Sequence, residues 1–258
     1  MADPCFIGVD LGTSGCRAVA IARDRRVLAE ARVGLPAPTR SASGGVEQSP
    51  ELWWRAVVPV LREIAAGIGS ARPTSLSVDG TSSTLLLCSP DGAPLAPALM
   101  YNDDSGRAEA ERISGIAPAE SPARGASSSL AKLLRLKDRL SPPRGTLALH
   151  QADWVLGRLS GRFGVSDWNN CLKLGYDAQK GCWPDWIRAL DIEPVVLPKV
   201  LAPGTPIGSL TASVAEETGL PAHTRVVAGT TDSTAAVIAT GASAPGDAIT
   251  CLGSTLVL

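Results

Sequence analysis

The chain has 258 residues, a formal net charge of −1, six cysteines and two histidines. Balanced charge with scattered arginines excludes a nucleic-acid surface, the lack of any C-x-x-C excludes zinc, and no apolar run reaches membrane-spanning length. Asp3 and Pro4 argue against a signal peptide, so reduced thiols in the cytoplasm are expected.

The first predicted element is a hairpin. Phe6, Ile7 and Val9 form an apolar run that ends on Asp10, and a second run covers Arg17–Ile21. Between them stand Gly12, Thr13, Ser14 and Gly15, all turn-forming types. Successive N–H groups and the two hydroxyls suit an anion. Asp10 at the mouth of the turn suits a hydrated Mg²⁺. A purely structural turn with an Asx-type aspartate accounts for the same residues.

Arg26–Val33 reads as a third strand, followed by a Pro/Ser/Gly-rich loop over 34–45. Ser49-Pro50-Glu51 signals a helix start, with Ser49 as N-cap and Pro50 in the first helical position. Trp53, Val57, Val60, Leu61 and Ile64 continue it at helical spacing, and Pro59 is expected to kink it or mark an irregularity. A short strand over Thr74–Val78 runs into Asp79-Gly-Thr-Ser-Ser83. Thr84–Cys88 and Pro94–Met100 flank the turn Ser89-Pro-Asp-Gly92 and read as a strand pair. Asp10, Ser82 and Asn102 each lie just past a strand end, where ligands gather in α/β sheets.

The middle is mostly helical. Helices are predicted over Ser105–Ile113, over Leu130–Leu140 behind a Ser127–Ser129 cap, over Ala152–Leu159 and over Cys182–Leu190, where Trp183 and Trp186 read as packing. A Pro-rich connection covers Pro194–Pro206, and a helix over Ser209–Gly219 follows. Arg225–Ala228 reads as a buried strand and Asp232–Thr240 as a helix. Asp232 at that helix start can take a proton from an alcohol or simply be an acid that favours the helix dipole. After a linker over 241–246, Asp247–Cys251 and Thr255–Leu258 read as strands around Gly253-Ser254.

Other chemistries fail on motif grounds. The chain has no G-x-x-x-x-G-K-[ST], no G-x-G-x-x-G, and no G-x-S-x-G for His150 or His223 to serve.

Asp10-Leu-Gly-Thr-Ser14 resembles the first phosphate motif of the actin, Hsp70 and sugar kinase superfamily. Ala228-Gly-Thr-Thr-Asp-Ser-Thr-Ala-Ala236 resembles the catalytic-aspartate segment of FGGY carbohydrate kinases, and Leu252–Leu258 their second phosphate motif. The D-ribulose kinases of that family are similar along Val78–Ser82, Met100–Asn102, Ser127–Leu133, Gln151–Trp154 and Cys171–Tyr176.

The resemblance implies a ribonuclease-H-like, actin-like ATPase domain of α/β class, with a mixed central sheet flanked by helices. It implies an N-terminal sugar-binding and catalytic domain over 1–240. Residues 241–258 would open a nucleotide-binding domain whose remainder is missing. The implied reaction is ATP + D-ribulose → ADP + D-ribulose 5-phosphate, with ATP and Mg²⁺ as cofactors. Asp232 would be the base and Asp10 the Mg²⁺ ligand. Gly12, Thr13, Ser14, Gly253, Ser254 and Thr255 would bind the ATP phosphates, and Asp10, Ser82, Asn102 and Asp232 the sugar. Where xylulose and glycerol kinases carry Trp-x-Asp-x-Arg, this chain has Tyr101-Asn-Asp-Asp-Ser105, which weakens Asp103 and Asp104 as site residues and xylulose as substrate. Asp167, Asn170 and Lys173 read either as a border of the sugar pocket or as a satisfied surface cluster.

A xylulose or polyol kinase, a non-catalytic sugar-binding domain and an actin-like switch remain as alternatives. The 258 residues alone are expected to be inactive, and the apolar end is expected to favour self-association.

Overall fold

The computed structural model describes residues 3–244, 246–252 and 256–257. In chain order the elements are β1 (Pro4–Leu11), β2 (Gly15–Ala22), β3 (Val27–Gly34), β4 (Thr39–Arg40), β5 (Val46–Gln48) and α1 (Pro50–Gly67). Next come β6 (Arg72–Gly80), β7 (Leu85–Cys88), β8 (Ala98–Leu99), α2 (Arg107–Ser114), α3 (Ser129–Leu140), β9 (Leu147–His150) and α4 (Gln151–Ser160). The later part holds β10 (Val165–Asp167), α5 (Trp168–Cys171), β11 (Lys199–Leu201), β12 (Pro206–Ser209) and α6 (Ala212–Thr218). It ends with β13 (Arg225–Val227), β14 (Thr230–Thr231), α7 (Asp232–Ala239), β15 (Cys251–Leu252) and β16 (Leu256–Val257).

A seven-stranded mixed sheet runs in the order β12-β13-β6-β1-β2-β3, with β14 also paired to β6. The β1–β2 hairpin is antiparallel, whereas β1, β13 and β14 all lie parallel to β6. A five-stranded sheet, β4-β5-β8-β7-β9, takes the Thr84–Met100 region away from the first sheet. The expected pair there is real but interrupted, with Leu85 facing Leu99 as ladder partners and Cys88 facing Pro94 in an isolated antiparallel bridge.

Strand β1 buries Cys5, Ile7, Val9 and Leu11 in strict alternation, as a period-two pattern requires. Helix α1 covers this sheet with Trp53, Val57, Val60, Leu61 and Ile64, all buried. Trp53 meets Trp154 of α4 edge-on, with centroids 6.1 Å apart. A second core under the smaller sheet joins Leu85, Leu87 and Leu99 to Leu130, Leu133 and Leu134 of α3.

Three local expectations are corrected, and helix α1 continues through Pro59. A proline inside a helix costs about 3 kcal/mol, but each buried Val, Leu or Trp around it contributes about 1.5–3 kcal/mol, so burial wins. Ser49 makes no side-chain cap bond; its carbonyl accepts the Leu52 N–H at 3.1 Å instead. The 182–190 helix shrinks to a 3₁₀ segment at Asp185–Leu190, because Pro184 limits its start and Trp183 turns edge-on to Tyr176. The strand expected from Asp247 begins only at Cys251, since the Asp247 carboxylate turns back to accept the Ser243 and Ala244 N–H groups at 2.8 and 2.9 Å.

Helix α7 has no buried residue, and Val237 and Ile238 are 45% and 63% exposed. Strands β15 and β16 pair antiparallel, as the expected hairpin does. Gly253, Ser254 and Thr255 lie outside the described residues. Among the described residues no helix is long and apolar enough to cross a membrane.

Candidate active site

Parallel pairing sets the site. The β1–β6 register places Asp10 opposite Asp79, and the β14–β6 register places Thr230 opposite the same Asp79. Asp232 follows at the first position of α7. Three neighbouring strands therefore deliver carboxylates to one end of the sheet.

The close approach of β14 depends on Gly229, where an added Cβ would stand 1.9 Å from the Val78 carbonyl oxygen. Only a glycine lets the chain pass this near β6. The Thr231 hydroxyl then caps α7 by accepting the Thr234 N–H at 3.4 Å.

The carboxylates repel one another. Burial, then the charges of Asp10 and Asp232, then a hydrogen bond with Asp10, push Asp79 up to about 7. Asp232 is raised by burial and by Asp10, while the Ser233 and Ser82 amides and the Lys173 charge favour its ionised form. The Ser233 N–H donates to Asp232 Oδ1 at 2.6 Å. Arg17 stands 3.9 Å from Asp10, but both side chains are well exposed, so this pair offsets little. Asp79 was not singled out as a site residue from sequence; its place after an apolar run that ends on a charge was the available signal.

The Gly12 N–H donates to the Gly15 carbonyl at 3.0 Å, closing the turn that carries Thr13 and Ser14 beside Asp10. Ser82 sits in the loop after β6. That loop is held by Gln151 of α4, whose Oε1 accepts the Thr81 N–H at 3.0 Å and the Thr81 hydroxyl at 2.8 Å. Ser83 next to it adopts a left-handed φ of +74°, a strain of order 1–3 kcal/mol for a non-glycine residue. Asn102 is half-buried, and its Oδ1 has no hydrogen-bond partner among the described residues. A buried acceptor without a donor is costly, and a sugar hydroxyl would satisfy it.

Asp103 is not part of this group. It is fully buried and accepts the Val46 N–H at 2.7 Å and the Ser105 hydroxyl at 2.6 Å. Asp104 pairs with Arg107 at 2.7 Å. Asp167 caps α5, accepting the Asn169 and Asn170 N–H groups at 2.8 and 3.2 Å and the Asn170 side-chain amide at 2.6 Å. The same segment does reach the site, through Asn169, whose Nδ2 donates to Thr230 Oγ1 at 2.9 Å. Asn169 was missed from sequence, because only the fold shows that it touches β14.

One further cluster imitates a hydrolase. His150 Nδ1 lies 2.9 Å from Asp153 Oδ2, and Nε2 lies 3.0 Å from Ser129 Oγ. Ser129 and His150 are 0% exposed and Asp153 3%, so no substrate reaches the hydroxyl. The trio ties α3, β9 and α4 together.

Fold and site together define a sugar-kinase type of α/β domain. The solved xylulose kinase of Rhodospirillum rubrum superposes with a TM-score of 0.83 at 26% identity, over 94% of this chain and 52% of that one. The xylulose kinase of Streptomyces coelicolor is 29% identical over 98% of this chain and 53% of its own length. The apulose kinase of Pectobacterium atrosepticum is 25% identical over 96% and 52%. The chain thus spans about half the length of the curated relatives it matches.

The model of the FGGY family of carbohydrate kinases, N-terminal domain, matches residues 5–239. The chain belongs to that family.

Proposed function

We propose that this chain is the sugar-binding, base-supplying part of an ATP-dependent ketose kinase acting in the cytoplasm, with D-ribulose as substrate and D-ribulose 5-phosphate as product. The observation that carries the reading is the position of Asp232. It is half-buried at a helix start, beside the Asp10 and Asp79 strand ends and against the Ser82 amide.

Asp232 would take the proton of the reacting hydroxyl, while Ser82 and Asn102 hold the neighbouring hydroxyls. Phosphoryl transfer asks little more of the protein than such alignment and charge placement. Gly12, Thr13 and Ser14 would meet the ATP phosphates, and Gly253, Ser254 and Thr255 would do so from the other side. Residues 1–240 would form the sugar domain and 241–258 the start of the nucleotide domain.

Mg²⁺ fits the residues present. The raised Asp79 and Asp232 mark a place short of positive charge, and Asp10 is the accessible carboxylate beside them. When bound, the ion would offset charge on the transferring phosphoryl group.

The names of the relatives favour D-xylulose as a second reading. Calorimetry of residues 1–258 with D-ribulose, D-xylulose, apulose and glycerol separates these. D-Ribulose is expected to bind tightest, with negligible ADP release by these residues alone. Tighter xylulose binding moves the substrate, and a chain that binds no sugar overturns the reading.

A further inference from the structure

Lys132, on α3, is 0% exposed. Its Nζ donates to three backbone carbonyls: Ser83 at 2.9 Å, Tyr101 at 3.2 Å and Ser127 at 2.7 Å. An ammonium has three protons, so its donor set is complete. The three acceptors belong to three separate stretches of chain. One is the loop after β6, one the loop after β8, and one the approach to α3.

Two of these acceptors adjoin a proposed sugar ligand. Ser83 follows Ser82, and Tyr101 precedes Asn102. Ser83 is also the residue with the left-handed φ of +74°. A serine stays in that region only where its surroundings fix it, and Lys132 grips its carbonyl. The clamp is anchored in turn. Ser129, three residues earlier on α3, bonds to His150, and the Ser128 hydroxyl caps the helix by accepting the Ala131 N–H at 3.1 Å. Burial lowers the Lys132 pKa, while the buried Asp103 carboxylate favours its charged form.

On the ketose-kinase reading above, we propose that Lys132 is the positioning residue of the sugar subsite. One buried cation sets the spacing of Ser82 and Asn102 by holding the peptide carbonyl beside each. It touches no substrate. A plain core staple would act on α3 as a whole; this clamp acts on three loops.

The test compares Lys132→Met, which keeps the length and removes the donors, with Leu136→Ala. Leu136 is buried on the same helix and makes none of the three clamp hydrogen bonds. Hydrogen exchange is read at residues 82–84, 101–103 and 127–129, and D-ribulose and D-xylulose binding by calorimetry. Lys132→Met is expected to speed exchange at all three stretches and to weaken sugar binding at least about tenfold, in line with the sensitivity of sites to small misplacements. Leu136→Ala is expected to lower the melting temperature and leave both readouts near wild type. Lys132→Arg, which retains a buried cation, covers the case in which Lys132→Met does not fold. Its planar fork cannot converge on three carbonyls as an ammonium does, so it too should free the loops.

Equal effects of Lys132→Met and Leu136→Ala, or full affinity in Lys132→Arg, overturn the proposal. The exchange measurement needs no ligand. A wild-type chain that binds neither sugar therefore sinks the ketose reading, while the exchange pattern still supports or overturns the clamp.

Discussion

At the ends of β1, β6 and β14, three carboxylates face one another with the exposed Arg17 and the charge of Lys173 as the cations near them among the described residues. Beside the five-stranded sheet, Lys132, Asp103 and the His150–Asp153 pair are buried as deeply or more so, yet each has its partners. The two regions show what buried polarity does in each case. Satisfied groups fix loops and helices against each other. Groups left facing like charge store a demand for a cation or a proton, and that demand is chemically useful.

The strongest test of this contrast is Asp232→Asn, in an enzyme completed by the second half that the relatives carry. Asparagine keeps the size and can still bond a hydroxyl, but it cannot accept the proton. Turnover in a coupled ADP assay should fall by roughly 10²–10⁴-fold, with sugar affinity changed much less. Near-normal turnover would make Asp232 a helix-start acid and nothing more.

Asp153→Ala should do the reverse. It leaves His150 and the His150 N–H without their acceptor. Urea denaturation should show a loss of about 2–4 kcal/mol, while sugar affinity of the folded fraction holds. A sugar-binding defect without loss of stability would erase the distinction between frame and site.

Asp167 lies between the extremes. It accepts three N–H donors, yet burial, and then the Asp153 charge, push it up to about 6. The folded state therefore holds this proton more tightly than the unfolded chain. The stability it contributes is full below about pH 4 and is lost as pH rises to about 6. Asp167→Asn should remove that decline, so the gap between variant and wild type should shift by about 2 kcal/mol between pH 4 and 7. A parallel pair of stability–pH curves would show that the donors outweigh the burial.

The smallest effect belongs to Arg17→Ala. An exposed pair 3.9 Å long should change stability by less than about 0.5 kcal/mol. A loss several times larger would mean that Arg17 truly neutralises the carboxylate group.

Much of the fold was legible in local pattern. The first hairpin, the apolar stripe of α1 and the helix starting at Asp232 follow from periodicity and turn chemistry. Strand-end reasoning groups Asp10, Ser82 and Asn102, and the family resemblance adds Asp232; in the structure β1 and β6 share one sheet, whereas Asn102 follows β8 of the other. What stayed hidden depends on contacts between distant segments. The chain alone does not reveal that Thr84–Met100 leaves for a second sheet, or that Asn169 reaches Thr230. Nor does it reveal that Asp103 spends its carboxylate on Val46 and Ser105.

Gly229 gives the site a weak point in mutational space. A single methyl group there would collide with the Val78 carbonyl, and the relief available is to move β14 away from β6. Asp232 would travel with it. Every carboxylate, hydroxyl and amide of the site would survive such a change intact, and the constellation would still be lost. In a drifting gene copy, this position can dismantle the arrangement while each residue that forms it remains in place.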